Sequence, residues 1–211
     1  MAFVLAAAVV APASAQVRRP PVRPDDPPVI SLRPFFVFSE QSFSARKTFE
    51  TTFGKPFQPF LGGGLSVAFK NSFYFDVTAS RFNKIGQRAF FFEGKGLGLG
   101  IPLTITVTPV EFTAGQRLSI TPRVLSYFGG GVGSYMYKEA SPFDDGLFDA
   151  HHVGYLVVGG VEFRASRWVG VSGDLQFTRV SGIIGSGGIS KEAGESNLGG
   201  IAGRVRVIVG R

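Results

Sequence analysis

From about residue 30 onward, apolar and polar residues alternate with a period of two, in one segment after another. A strand points successive side chains to opposite faces, so this period calls for strands whose two faces meet different surroundings. In 73–82, Phe73, Phe75, Val77 and Ala79 share one face, while Tyr74, Asp76, Thr78 and Ser80 share the other. In 168–180, Val169, Val171, Leu175 and Phe177 oppose Ser172, Asp174, Gln176 and Thr178. Val153, Tyr155, Val157, Val161 and Phe163 oppose Glu162 and Arg164, and Ile201, Val205, Val207 and Val209 oppose Arg204 and Arg206. Val110, Phe112 and Ala114 lie opposite Glu111, Thr113 and Arg117, whereas Ile105 and Val107 upstream have the other parity. Proline within a strand marks a bulge, so a phase slip is expected at Thr108-Pro109.

Eight such segments are present, at about 31–41, 58–69, 72–82, 104–118, 122–138, 152–165, 167–180 and 197–210. Lys70-Asn71, Ser119-Ile120-Thr121 and Ser166 are all that separates the second from the third, the fourth from the fifth and the sixth from the seventh. The remaining gaps, 42–57, 83–103, 139–151 and 181–196, are long. Strict alternation of long loop and tight turn is the plan of a membrane barrel, and each segment has the roughly 9–11 residues a tilted strand needs to cross a bilayer. The expected fold is all-β: an eight-stranded antiparallel up-and-down transmembrane β-barrel with long outer loops and short periplasmic turns.

Period two alone does not tell a membrane barrel from a soluble one, because the two exchange inside and outside. The composition of the polar face does. It is built of small residues, Gly64, Ser66, Ala68, Thr78, Ser80, Thr113, Gly115, Gly170 and Ser172, with single long charges between them. That suits the narrow interior of eight strands, which side chains fill. Phe82, Phe90, Phe91, Phe92, Tyr135 and Tyr137 at one end and Trp168 at the other are placed for aromatic girdles.

The N-terminal part reads as export machinery. Residues 1–15 are uncharged and apolar and end in Ala13-Ser14-Ala15, the form of a cleaved signal peptide. Residues 16–29 hold Pro20, Pro21, Pro24, Pro27 and Pro28 and form an extended linker. The barrel domain takes up 30–211.

Composition removes whole classes of chemistry. There is no cysteine, hence no disulfide, thiolate metal site or thiol nucleophile. The glycine-rich stretches 62–64, 129–131 and 185–188 lack a phosphate-loop spacing, and the +7 net charge is scattered, so no nucleic acid partner is expected. His151-His152, near Asp144, Asp145 and Asp149, reads as a solvated loop rather than a metal site, and no serine is seen to face a histidine. Neither a cofactor nor an enzymatic activity is expected. The main polar constellation is the set of inward charges Asp76, Glu111, Arg117, Glu162, Arg164, Asp174, Arg204 and Arg206. Buried charges must pair, so Asp174 should meet Arg204 or Arg206, Glu162 should meet Arg164, and Glu111 should meet Arg117. A salt-bridged plug is the favoured reading and a gated ion path the rival. Basic loops 1 (Arg46, Lys47, Lys55) and 2 (Lys84, Arg88, Lys95) offer Coulomb partners to lipopolysaccharide phosphates.

The runs Thr108-Pro109-Val110-Glu111-Phe112-Thr113-Ala114-Gly115, Tyr127-Phe128-Gly129-Gly130-Gly131-Val132-Gly133 and Gly159-Gly160-Val161-Glu162-Phe163 resemble strands of the small eight-stranded outer-membrane β-barrel proteins of Gram-negative bacteria, the OmpA-type and porin-like barrels. The resemblance spans 31–211 and implies an outer-membrane location, a lipid environment, insertion by the barrel assembly machinery and a monomeric state. Members commonly end in an aromatic residue, whereas this chain ends in Val209-Gly210-Arg211. The reading is a non-enzymatic barrel with a structural or surface-interaction role in the envelope. A narrow passive pore and a periplasmic lipocalin-like binder of an apolar ligand are the alternatives.

Overall fold

Hydrogen-bonded neighbours, followed around the sheet, return to the strand they left. From Ser31 the partners run through Ala68, Tyr74, Gly115, Gly129, Val158, Gln176 and Ala202 and arrive back on the first strand at Gln41, ten residues further along. Eight strands closed with that stagger must tilt by roughly 40° to the barrel axis. The computed structural model describes residues 30–69, 72–92, 95–142, 144–186 and 188–210. The expected signal peptide and linker, the turn Lys70-Asn71 and Arg211 lie outside the described residues.

The strands are β1 (Ile30–Phe43), β2 (Phe57–Phe69), β3 (Phe73–Phe92), β4 (Lys95–Ser119), β5 (Val124–Ser141), β6 (Asp144–Arg164), β7 (Val169–Arg179) and β8 (Gly200–Val209). Every neighbouring pair is antiparallel, and β8 closes on β1. Helix α1 (Arg46–Phe53) lies between β1 and β2, and a single turn, α2 (Gly188–Glu192), lies between β7 and β8.

Inside and outside are assigned as a membrane barrel requires. Phe36, Phe38, Phe73, Phe75, Phe112, Phe128, Phe163 and Phe177 are exposed on the outer wall, while Asp76, Glu111, Glu162, Asp174, Arg204 and Arg206 are buried within. A soluble ligand-binding barrel has these faces exchanged. Water would pay heavily for such a surface, and hydrocarbon does not.

Three expectations are corrected. The gaps 83–103 and 139–151 are for the most part strand, because β3–β4 and β5–β6 continue as hairpins beyond the apolar belt. Past the belt neither face meets lipid, so the sequence there loses the alternation by which strands are recognised. The phase slip at Thr108-Pro109 is absent. β4 pairs with β5 in unbroken register from Thr104 to Ser119, and Ile105, Val107, Pro109 and Glu111 all point inward. The parity changes meaning instead, since the loop-end half of the interior is apolar. For the same reason Phe82, Tyr135 and Tyr137 are buried inside and form no girdle. Phe90 and Trp168 are exposed, and the side chains of Phe91 and Phe92 lie outside the described set.

The apolar half forms a plug. Phe43, Phe60, Phe82, Ile105, Val107 and Tyr137 from the strands pack with Phe49 of α1 and with Ile183, Ile184 and Leu198 of the β7–β8 connection. Phe49 stacks on Phe43 with ring centroids 3.8 Å apart, and Phe53 meets Phe82 edge-on at 5.7 Å. Both ends of α1 are satisfied. The Lys47 and Thr48 N–H groups donate to the Glu195 carboxylate at 3.0 and 2.9 Å, and the Thr48 hydroxyl donates to it at 2.7 Å. An acid at a helix N-terminus is favourable, and this one ties the first loop to the last. At the other end Gly54 adopts φ 76° and its N–H donates to the Glu50 carbonyl at 2.7 Å, a left-handed C-cap that glycine adopts without strain.

Candidate functional site: the charged interior

Below the plug, toward the tight turns, lie two linked charge clusters. Nearest the turns, Glu162 on β6 receives Arg33 from β1 through two nitrogens and Arg117 from β4 through one, with Arg164 3.7 Å away. Above it, Asp174 on β7 accepts from Arg204 Nε at 2.5 Å and from the Tyr127 hydroxyl at 2.6 Å, and lies 3.1 Å from Arg206 Nε. Arg206 reaches across to Asp76 Oδ2 at 2.8 Å, its guanidinium 4.8 Å from the Tyr127 ring centroid and 5.2 Å from that of Phe35. Glu111 accepts from the Tyr135 hydroxyl at 2.7 Å and from Gln176 Nε2 at 2.8 Å, with Arg204 at 3.7 Å. Among the described residues, buried Arg33, Arg117, Arg204 and Arg206 match buried Asp76, Glu111, Glu162 and Asp174 one for one. Charges removed from water this far are tolerable only when paired, and the pairing here leaves Asp76 Oδ1, Arg117 Nη1 and the Tyr74 hydroxyl without a described partner.

All eight residues expected inside therefore face the interior, Arg164 half-exposed at its turn end. Asp174 meets both Arg204 and Arg206, and Glu162 meets Arg164. Glu111 does not pair with Arg117. The latter points toward the turns, where it meets Glu162, and Glu111 points toward the plug, where it meets Arg204. Glu111 and Arg117 lie six residues apart on β4, three positions along its inward row, and so stand at different depths along the axis. Arg33, Tyr74, Tyr127, Tyr135 and Gln176 complete the set. Arg33 was hidden because β1 is apolar on both faces, Phe35 and Val37 inward and Phe36 and Phe38 outward.

Interior glycines make room for the tyrosines. A Cβ on Gly129 would stand 2.5 Å from the Tyr74 hydroxyl, and one on Gly133 would stand 2.8 Å from the Tyr135 ring. Two cavities among the described residues of the charged half are small. A cavity of about 10 Å³ is bordered by Tyr74, Asp76 and Arg117, and one of about 20 Å³ by Glu111, Gln176 and Arg204. Each is of the order of a single water.

The histidines are a further correction. His151 and His152 sit on β6, not in a loop, and His151 Nε2 lies 2.5 Å from the Ser134 hydroxyl on the outward face of β5. A serine does face a histidine. Among the described hydrogen bonds, that is the one His151 makes, and no carboxylate is shown holding its other ring nitrogen as a catalytic pair requires. Two of the loop cations are engaged: Arg46 pairs with Glu50 at 2.9 Å, and Lys84 turns inward to Gln58 at 3.3 Å and to the Phe53 ring.

No protein-family model and no curated protein matches the chain. Among solved structures, Neisserial surface protein A (NspA) superposes with a TM-score of 0.51 at 11% identity, covering 87% of this chain and 96% of NspA. The fold is that of a small eight-stranded outer-membrane β-barrel. The N-terminal β-barrel domain of Pseudomonas aeruginosa OprF gives a TM-score of 0.49 at 10% identity (85% and 97% covered). Ail, the attachment invasion locus protein of Yersinia pestis, gives 0.49 at 11% (86% and 95%). In this outer-membrane barrel the apolar wall is the lipid-facing surface, and lipid is its surroundings.

Proposed function

We propose that this outer-membrane barrel is a non-enzymatic envelope protein with a closed interior, acting as a structural element or through its outer loops as an interaction surface. What supports this reading is how the described residues fill the interior. Paired charges fill the turn-end half, and the apolar plug, covered by α1 and the β7–β8 connection, fills the other. In this reading the barrel is inserted by the assembly machinery and acts as a monomer, and closure leaves no sheet edge through which two copies could pair. Proteoliposomes containing the full chain should not swell in an isotonic solution of a small sugar. Swelling at a rate proportional to protein content would favour the passive pore instead.

A further inference from the structure

The lipid-facing wall is not uniform. On β6, β7 and β8 it is indented by a groove of about 260 Å³ lined by Val157, Gly159, Leu175, Phe177 and Ile201. The register explains the indentation. Leu175 is flanked by two outward glycines, Gly159 on β6 and Gly203 on β8, while one step toward the loops Phe177 is flanked by Val157 and Ile201. A Cβ on Gly203 would meet nothing within 4 Å, and one on Gly159 would meet a single carbonyl oxygen at 3.8 Å. Leu175, 67% exposed, stands between the two glycines, and the groove runs over Gly159 between Leu175, Val157 and Phe177.

What stands above the groove identifies its occupant. Two residues beyond Phe177 on the same outward row is Arg179, and its partner across the ladder is Tyr155, 70% exposed. The contact described for Arg179 is a 3.5 Å hydrogen bond from its Nε to Ser181 Oγ, which leaves its guanidinium's charge unmatched by any described carboxylate. An arginine and an amphipathic tyrosine at the upper edge of an apolar belt sit at headgroup depth, and a guanidinium suits phosphate geometry.

We infer that the β6–β8 face is a binding site for one anionic lipid of the outer leaflet, with an acyl chain lying in the groove over Gly159, against Leu175 and Phe177, and a headgroup phosphate held by Arg179 beside Tyr155. Sequence reading placed the phosphate contacts on loops 1 and 2. The wall supplies both halves of a lipid, chain and phosphate, in one vertical line. This inference rests on the outer-membrane placement above.

The test uses the full chain in phosphatidylcholine nanodiscs doped with phosphatidic acid, with lipid A, or with diacylglycerol, and counts lipids retained by native mass spectrometry. One phosphatidic acid or lipid A should be retained per barrel and diacylglycerol should not, and inorganic phosphate in the buffer should not displace the bound lipid. Arg179→Gln should weaken retention by about tenfold, the size of one lost charge-assisted contact. The double variant Gly159→Leu, Gly203→Leu should weaken it at least as much, and Ala79→Leu, outward on β3, should leave it unchanged. Equal retention of diacylglycerol would overturn the role of Arg179. Wild-type retention by the groove-filled variant would overturn the site, as would a dimer that filling abolishes, since a second copy would then be the occupant. A chain that fails to enter the nanodisc would contradict the membrane placement itself, whereas one that enters and retains no lipid contradicts the groove alone.

Discussion

Replacing Glu162 by alanine is expected to destabilise the barrel by about 3–5 kcal/mol, the cost of stranding buried charges that have lost their counter-ion. Glu162 is 2% exposed and holds Arg33 and Arg117, with Arg164 at 3.7 Å. Without it, three arginines from β1, β4 and β6 face one another across a narrow bore. Glu162→Gln keeps the shape and an acceptor but not the charge, so it should recover part of the loss. Replacing the whole cluster with Arg33→Met, Arg117→Met and Glu162→Leu together should cost far less than Glu162→Ala alone, because the desolvation penalty disappears with the charges. Urea midpoints measure all three, followed by the folded band, which is expected to migrate apart from the boiled one on SDS gels. A midpoint for Glu162→Ala equal to wild type would show that the cluster does not hold the strands.

The second large effect concerns the plug. Phe49 is 1% exposed, stacks on Phe43 and anchors α1, so Phe49→Ala should remove about 3–5 kcal/mol of packing. The loss should appear first as undocking of α1, since a loop helix opens locally before the barrel unfolds. Trypsin cleavage at Lys47 of the membrane-inserted protein reports that opening, and about 3 kcal/mol corresponds to roughly a hundredfold rise in the open population. Glu50→Ala breaks only the exposed pair with Arg46 and should change cleavage little. Equal cleavage of Phe49→Ala and wild type would mean that α1 is not held by the plug.

Much of this was legible in the residues, and the reason is lipid. Where hydrocarbon lies on one side and a packed polar interior on the other, as for Phe73–Ala79 or Val169–Phe177, each residue's face can be read from its chemistry. Legibility fails where that contrast fails. In β1 both faces are apolar, which hid Arg33. In the loop-end half of the barrel the interior is also apolar, which made Ile105 and Val107 look out of phase and Phe82 look like a girdle residue. Beyond the belt, where both faces meet water or loops, the hairpin extensions of β3–β4 and β5–β6 read as loops, and His151 went with them. Pair identities were the least legible, because Arg117 and Glu111 share a strand and a face but stand at different depths along the axis.

The central claim, a bore filled from end to end, is tested most directly by current. The full chain inserted in a planar lipid bilayer, with insertion verified by the shift of its folded band, should give no stepwise conductance at any applied voltage the membrane withstands. Regular unitary steps from the wild-type protein would contradict the closed interior.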